Sequence, residues 1–286
     1  MADTEKNKIN PSTLYLVGTP IGNLFDISER AKKVLTEVDF VAAEDTRNSL
    51  KLLSCLEIKN ELVSYHEHNK KASGEKIVAR LLSGESCALI TDAGMPAISD
   101  PGEDLVALCA ESGITVSVIP GACAAVSALA ASGLPTRKFV FEGFLSAKQG
   151  ERRRELEALR DEHRTIIFYE APHKLRDTLS DMRDCFGDGR RVTLCRELTK
   201  LNEEFIRTTL SSAVALYSEK EPRGEYVIIV EGATETQAES ELSALTVPEH
   251  IEHYIREGLS KKDAIKAVAR DRDVPKSEIY KYTTND

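Results

Sequence analysis

Cys87-Ala88-Leu89-Ile90-Thr91-Asp92-Ala93-Gly94-Met95-Pro96-Ala97-Ile98-Ser99-Asp100-Pro101-Gly102 is the stretch that decides the fold. Its first residues read as a short buried strand, and the segment after them is longer than a turn needs. Two aspartates, two glycines and two prolines stand between Asp92 and Gly102, and helical periodicity resumes at Asp104. The same unit recurs outward in both directions. Strands are expected at Thr13–Val17, Asp39–Ala43, Leu62–Tyr65, Cys87–Thr91 and Thr115–Ile119. Between them apolar residues return at helical spacing in Ile27–Val38, Ser49–Leu56, Glu75–Leu82 and Asp104–Glu111. Strands alternating with helices make a doubly wound parallel sheet. A small-residue helix, Ala122–Ser132, then ends at Ser132-Gly133-Leu134-Pro135, where glycine and proline stop it and supply a linker.

Past this linker the pattern is Lys138–Phe144 (strand), Gly150–His163 (charged helix), Thr165–Tyr169 (strand) and His173–Cys185 (helix). The strands Arg191–Cys195, Glu203–Arg207 and Glu225–Val230 follow with little helix between them, so a mixed sheet is expected. The expected division is an α/β domain over 12–133, a second over 134–232, an acidic connector over 233–245 and a helical tail over 246–286. The tail helices are placed at Glu249–Gly258, Ser260–Arg270 and Lys276–Tyr282.

With 286 residues, 41% of them hydrophobic, the chain can bury a proper core and is not a disordered protein. No apolar run approaches the ~20 residues that cross a bilayer, and the polar start lacks a signal peptide's apolar core, so a cytoplasmic protein is expected. The six cysteines show no C-x-x-C pair and fall mostly in apolar runs, which speaks against zinc and disulfides. The net charge of -9 looks unfriendly to a nucleic-acid partner, but it is unevenly spread. Tyr217 to Glu252 holds nine acidic and two basic side chains. Arg137 to Arg160 holds seven basic against four acidic, and Arg256 to Lys281 eight against five. These two stretches are candidates for phosphate contact, with Arg152-Arg153-Arg154 the densest run. A solvated helix face laced with ion pairs is the plainer reading of the first. Lys261 and Lys262 open a tail helix that resembles half of a helix-turn-helix and equally suits a dimer contact.

Ligands of an open parallel sheet bind beyond the carboxyl ends of its strands. Here those positions read Gly18-Thr19-Pro20-Ile21-Gly22-Asn23, Glu44-Asp45-Thr46-Arg47, His66-Glu67-His68-Asn69, Asp92 to Gly102, and Pro120-Gly121-Ala122-Cys123-Ala124. The first is neither a dinucleotide fingerprint nor a P-loop and could be an ordinary turn. Asp26 and Ser28 could cap the next helix, Glu44 to Arg47 could be a cap with a local ion pair, and His66 with His68 lacks a third metal ligand of obvious spacing. The segment from Asp92 to Gly102 is hardest to explain as a connection alone.

Eight blocks carry a resemblance: Gly18 to Leu24, Ala43 to Arg47, Tyr65 to Asn69, Thr91 to Gly102, Pro120-Gly121, Gly143-Phe144-Leu145, Tyr169 to His173 and Arg196 to Lys200. In this order they resemble the 16S rRNA cytidine 2′-O-methyltransferases of the tetrapyrrole-methylase superfamily, from about Leu14 to Gly232. Ser146 departs from the family's usual proline, and Ala171 with Lys174 alters its usual E-S-P-H-R. The resemblance implies two α/β domains with a cleft for S-adenosylmethionine, and methyl transfer to the ribose 2′-hydroxyl of a decoding-centre cytidine (cytidine 1402). It further implies a homodimer and 16S rRNA or the small ribosomal subunit as partner; the lack of a long apolar run speaks against a membrane, and the transfer itself needs no metal. Implied donor contacts are Pro20, Asp92, Ala93, Gly94, Met95, Ile98, Gly121, Ala122, Cys123, Ala124, Leu198 and Thr199.

The sulfonium is a good leaving group, so orientation supplies much of the rate and a base for the hydroxyl proton would help. Asp45, Glu44, His66, Asp100 and Glu170 are the candidates. Arg47, Lys148, Arg152, Arg153, Arg154, Arg196, Lys200, Lys261 and Lys262 are the candidates for RNA contact. Two other readings stand beside this one: a tetrapyrrole methyltransferase, which would need neither the Arg-rich helix nor the tail, and a non-catalytic RNA- or nucleotide-binding module.

Overall fold

Five apolar runs become β1 (Thr13–Val17), β2 (Phe40–Ala43), β3 (Leu62–Ser64), β4 (Cys87–Ile90) and β5 (Thr115–Ile119), all parallel in the order β3-β2-β4-β1-β5. The computed structural model describes residues 7–234, 242, 245–272 and 274–282. Crossovers run through α1 (Glu29–Glu37), α2 (Thr46–Cys55), α3 (Lys70–Leu82) and α4 (Gly102–Glu111). Ser28 caps α1 by accepting the Ala31 N–H at 3.0 Å. Every residue of β1, β2 and β4 is buried, as expected for parallel strands covered on both faces. Alternate residues feed two cores: Tyr15, Val17, Val41 and Ile90 meet α1, while Leu14, Leu16, Phe40 and Leu89 meet α3 and α4.

The second sheet joins β6 (Phe139–Phe144), β7 (Thr165–Glu170), β8 (Arg191–Arg196), β9 (Glu204–Thr209) and β10 (Tyr226–Val230) in the order β6-β7-β10-β8-β9. Only the β6/β7 pair is parallel, so the sheet is mixed. One face, with Ile166, Phe168, Leu194 and Ile228, packs on α6 (Gln149–Ala158), α7 (Leu175–Phe186) and α8 (Leu210–Glu219). Helix α8 corrects the expectation of little helix between the last strands: Thr209 caps it, and Leu210, Ala213 and Tyr217 are its buried stripe.

The other face receives α5 (Ala124–Ser132), whose Ala125, Ala128 and Leu129 pack on Ile167, Cys195, Val227 and Ile229. The helix that leaves the first sheet is therefore built into the second. Its last carbonyls are satisfied from that sheet: the Arg207 guanidinium donates to Ala131 O (2.6 Å) and Ser132 O (3.0 Å), and the Thr193 hydroxyl donates to Ser132 O (3.0 Å).

Both sheets lie in a compact unit ending at Gly232, and the following residues form a second unit. There α9 (Val247–Arg256), α10 (Lys261–Asp271) and α11 (Lys276–Tyr280) surround Ile251, Ile265, Val268 and Ile279. Most of the expected connector, from 235 on, lies outside the described residues. Among the described residues no helix is long and apolar enough to cross a membrane.

Candidate active site

Three loops at the carboxyl ends of the first sheet interlock through glycine. A Cβ on Gly18 would lie 2.7 Å from both Gly121 Cα and Met95 Sδ, so only glycine lets the loops after β1, β4 and β5 close on one another. Thr19 and Gly94 exchange backbone hydrogen bonds of 2.9 and 3.1 Å across the same contact.

Four non-glycine residues on two facing loops hold left-handed backbone: Ala97 and Ser99 after β4 (φ 66° and 61°), and Glu197 and Thr199 after β8 (φ 51° and 66°). Such a conformation costs an L-residue roughly 1–2 kcal/mol. Carboxylates fix both loops. Asp100 accepts the N–H of Ala97 at 2.9 Å and of Gly102 at 2.7 Å. Glu203 accepts the Thr199 N–H at 2.7 Å, and Glu197 the Glu225 N–H at 2.9 Å. Strained backbone of this kind gathers at functional sites.

Between these loops lies a cavity of about 450 Å³, within the size range of sites for small organic ligands. Seven of the twelve expected donor contacts line it: Ala93, Gly94, Met95, Ile98, Cys123, Ala124 and Leu198. The other five do not. Gly121 packs against Gly18, and the Ala122 carbonyl faces Gly94. Pro20 is half-buried on the first loop, and exposed Asp92 accepts a hydrogen bond from the Asn48 amide at 3.1 Å. Thr199 Oγ1, turned toward Gly22, is buried without a hydrogen-bond partner. The sequence signals missed Ile21, Phe144, Tyr169 and Val227 as lining residues. Tyr169 is anchored by the Ala125 N–H, which donates to its hydroxyl at 3.1 Å, and burial pushes the phenol up to about 12.

The candidate bases separate on geometry. Glu44, Asp100 and Glu170 line the cavity; Asp45 and His66 do not. Both Asp100 oxygens accept backbone N–H groups. Buried Glu170 accepts from the Thr178 hydroxyl (2.6 Å) and the Ala171 N–H (2.9 Å) and pairs with Lys174 at 3.3 Å. Arg47 binds Asp45 with its side chain and holds the carboxyl down at about 2, too acidic for a base working near neutrality. His66 follows the edge strand β3, its ring 5.9 Å from that of His68. Glu44 accepts the Thr91 hydroxyl on Oε2 at 2.9 Å, and among the described residues no cation pairs with it.

The profile of the Tetrapyrrole (Corrin/Porphyrin) Methylases matches residues 13–214. Ribosomal RNA small subunit methyltransferase I of Halalkalibacterium halodurans is 52% identical over 270 residues, covering 94% of this chain and 93% of its own. Its namesake from Bacillus subtilis is 49% identical over 276 residues, covering 96% and 94%. The chain belongs to the ribosomal RNA small subunit methyltransferase I family. Solved structures share the fold of this family at lower identity. Cobalt precorrin-4 methyltransferase matches with TM-score 0.57 and 17% identity over 77% of this chain and 95% of its own. A uroporphyrin-III C-methyltransferase from Thermus thermophilus, complexed with S-adenyl homocysteine, matches with TM-score 0.53 and 19% identity over 77% and 97%.

In this rRNA methyltransferase I family member the basic candidates fall into distinct groups. Arg152 is corrected: its side chain is 3% exposed and paired with Asp181 at 2.6 Å, so it fastens α6 to α7 and does not face solvent. Arg153 shares Asp181 at 2.7 Å but is 55% exposed. Arg154 is exposed with no bonded partner among the described residues. Lys148 pairs with Glu151, Arg47 with Asp45, and Arg196 with Glu204. Lys200, on the cavity wall, bridges Glu197 (2.9 Å) and Glu225 (2.7 Å). Lys261 and Lys262 are exposed on α10. Ser146 donates its N–H to Glu155 at 2.9 Å, a bond that proline could not make.

Proposed function

We propose that this protein transfers a methyl group from S-adenosylmethionine to the ribose 2′-hydroxyl of cytidine 1402 in the 16S rRNA of the small ribosomal subunit. The observation that carries the reading is the cavity itself, with seven expected donor contacts and, on one wall, a carboxylate that no cation pairs among the described residues, in a chain about half identical to rRNA methyltransferases. Its walls suit the donor: Ile21, Met95, Ile98 and Leu198 are apolar enough for adenine and the methionine stem, and the loop amides offer polar contacts. When bound, S-adenosylmethionine supplies an electrophilic methyl on a positively charged sulfur.

The chain's own part is orientation and proton removal. The close glycine contacts and the bonds to Asp100 and Glu203 fix the loops against one another, which favours an in-line approach of the ribose oxygen. Glu44 is the group to accept the hydroxyl proton, because among the described residues nothing bonds to its Oε1, while Asp100 and Glu170 are occupied. Arg154, Arg153 and Lys148 are placed along one exposed helix start, where they can meet phosphate. The tetrapyrrole alternative has the superfamily profile and fold likeness behind it, whereas the relatives about half identical to this chain are rRNA methyltransferases. Incubation with labelled donor and undermethylated small subunits, followed by nucleotide mapping, tests the reading. Label on the cytidine 1402 ribose is expected; label on a porphyrinoid, on a base, or nowhere in the rRNA overturns it.

A further inference from the structure

We infer that Phe144 is the platform on which the target cytosine base stacks, which makes it a positioning residue of the reaction proposed above and rests on that reading. Phe144 is a large apolar side chain on the cavity wall, yet it is 58% exposed. The backbone is bent to put it there. In β6, Phe141 pairs with Ile167, but the register then slips, so that Gly143 pairs with Phe168 and Phe144 with Tyr169. Without that bulge, Phe144 would sit opposite Glu170 and point to the face of Ile166 and Phe168, into the helix-covered core. The extra residue, Glu142, turns it to the face of Ile167 and Tyr169 instead. Gly143 carries the bend at φ +65°, and a Cβ there would lie 3.1 Å from Ser99 Oγ on the strained loop after β4.

The ring is backed as a platform would be. Tyr169 tilts against it at 5.5 Å and 59°, and Tyr169 is itself held edge-on by Phe141 at 5.0 Å and 70°. Lys174 Nζ stands 5.8 Å from the ring centre.

Two flat groups could occupy such a shelf, the donor's adenine and the acceptor's base. The loop after β4 comes close at Ser99, so it is the exposure of the ring, together with its distance from Leu198, that favours the base. Phe144 ends the edge strand β6, whereas Leu198 follows β8, three strands away in the sheet order and so roughly 14 Å across. The exposed side of the ring opens outward, which suits a nucleotide swung out of a polymer. Lys148 follows four residues later, and Arg153 and Arg154 on α6 within ten, so phosphates of the same strand would have cations beside the base.

The test compares Phe144→Ala, Phe144→Leu and Phe144→Trp with the unaltered protein on undermethylated small subunits, with S-adenosylmethionine affinity measured by calorimetry. Loss of base stacking predicts a fall in kcat/KM of roughly tenfold to a hundredfold for the Ala and Leu variants, carried by KM for the subunit, with recovery in Trp. Donor affinity stays within about twofold, which also shows that the variants are folded. Unchanged kcat/KM in Phe144→Ala, full activity in Phe144→Leu, or a parallel loss of donor affinity overturns the inference and leaves the rRNA reading standing. No rRNA methylation by the unaltered protein overturns both.

Discussion

Asp181→Ala should be among the most damaging single substitutions outside the cavity. Asp181 and Arg152 are 2% and 3% exposed, and the guanidinium reaches the carboxylate through Nη2 at 2.6 Å and Nε at 2.8 Å. Remove the carboxylate, and among the described residues Arg152 keeps only long contacts to the Ser146 and Ala147 carbonyls, at 3.5 and 3.4 Å. An arginine left buried without its partner costs about 3–5 kcal/mol. Replacing both, Arg152→Met with Asp181→Leu, removes the stranded charge and should cost less than ~2 kcal/mol, since apolar pairs of similar volume often match a buried ion pair. Arg153, 55% exposed, loses only a solvent-screened contact in either case. Urea titration followed by far-UV ellipticity, read at constant slope, gives both losses. A loss below ~1 kcal/mol in Asp181→Ala, or a double variant as damaged as the single, would refute the assignment of Arg152 to the scaffold. The pH dependence has a definite sign. Burial alone would raise the Asp181 pKa, and the bonds from Arg153 and Arg152 bring it below the ordinary value. Its contribution is therefore present above the unfolded pKa near 4 and is lost as pH falls through the folded one, so the deficit of Asp181→Ala shrinks in acid.

Glu44→Gln should lower kcat by about 10²–10⁴ with donor affinity unchanged, whereas Asp45→Asn stays within a few-fold; equal losses in the two would remove Glu44 as the base. Gly18→Ala puts a Cβ 2.7 Å from the Gly121 backbone, and should cost about 1–3 kcal/mol and at least tenfold in S-adenosylmethionine affinity by calorimetry. Gly150→Ala, where a Cβ meets nothing, is the control, and intact donor binding in Gly18→Ala would break the link between the interlocked loops and the site. Arg154→Ala should leave the urea midpoint unmoved and reduce the salt slope of rRNA binding by about one, an outcome that Arg152→Ala cannot give. In the second unit, burial and then Arg272 lower the His250 pKa, so the stability tied to its neutral form is present above ~6.5 and lost as pH falls through the folded value. Amide protection in α9 and α10 should drop between pH 7 and 5 and become flat in His250→Phe; a flat profile in the unaltered protein contradicts this.

Strands β1 and β5 are readable to the residue, because each is a short apolar run closed by glycine or proline. Helix α5 could be located but not placed. Ala124, Ala125, Val126, Ala128, Leu129, Ala130 and Ala131 make it apolar all round, so its periodicity does not say which sheet it covers. The arginine run failed for a related reason. Three consecutive helical residues step about 100° each, so Arg152, Arg153 and Arg154 point in three directions, one of them inward. In the cavity, glycine and proline announced the loops, and these were legible. The left-handed residues were not, because Ala97, Ser99, Glu197 and Thr199 carry no mark of their conformation in composition. Nor could the carboxylates be ranked, since what distinguishes Glu44 from Asp100 is how many N–H groups the fold aims at each.

The left-handed residues and the exposed phenylalanine divide the cavity into two kinds of wall. Four left-handed residues at ~1–2 kcal/mol each are a steep cost unless the bonds around them are stronger, and Asp100, Glu203 and Glu197 provide those bonds. A wall built this way resists change, which suits the proposed donor, the same molecule in every turnover. Phe144 is the opposite case: more than half of it is exposed, and beyond Tyr169 and Lys174 no aromatic or cationic group among the described residues stands against its ring. An apolar face left open beside a rigid pocket is completed by whatever enters last. Donor-wall substitutions such as Gly18→Ala should therefore move donor affinity, Phe144 substitutions should move the KM for the subunit, and a variant of either wall that shifts both alike would show that the two walls act as one.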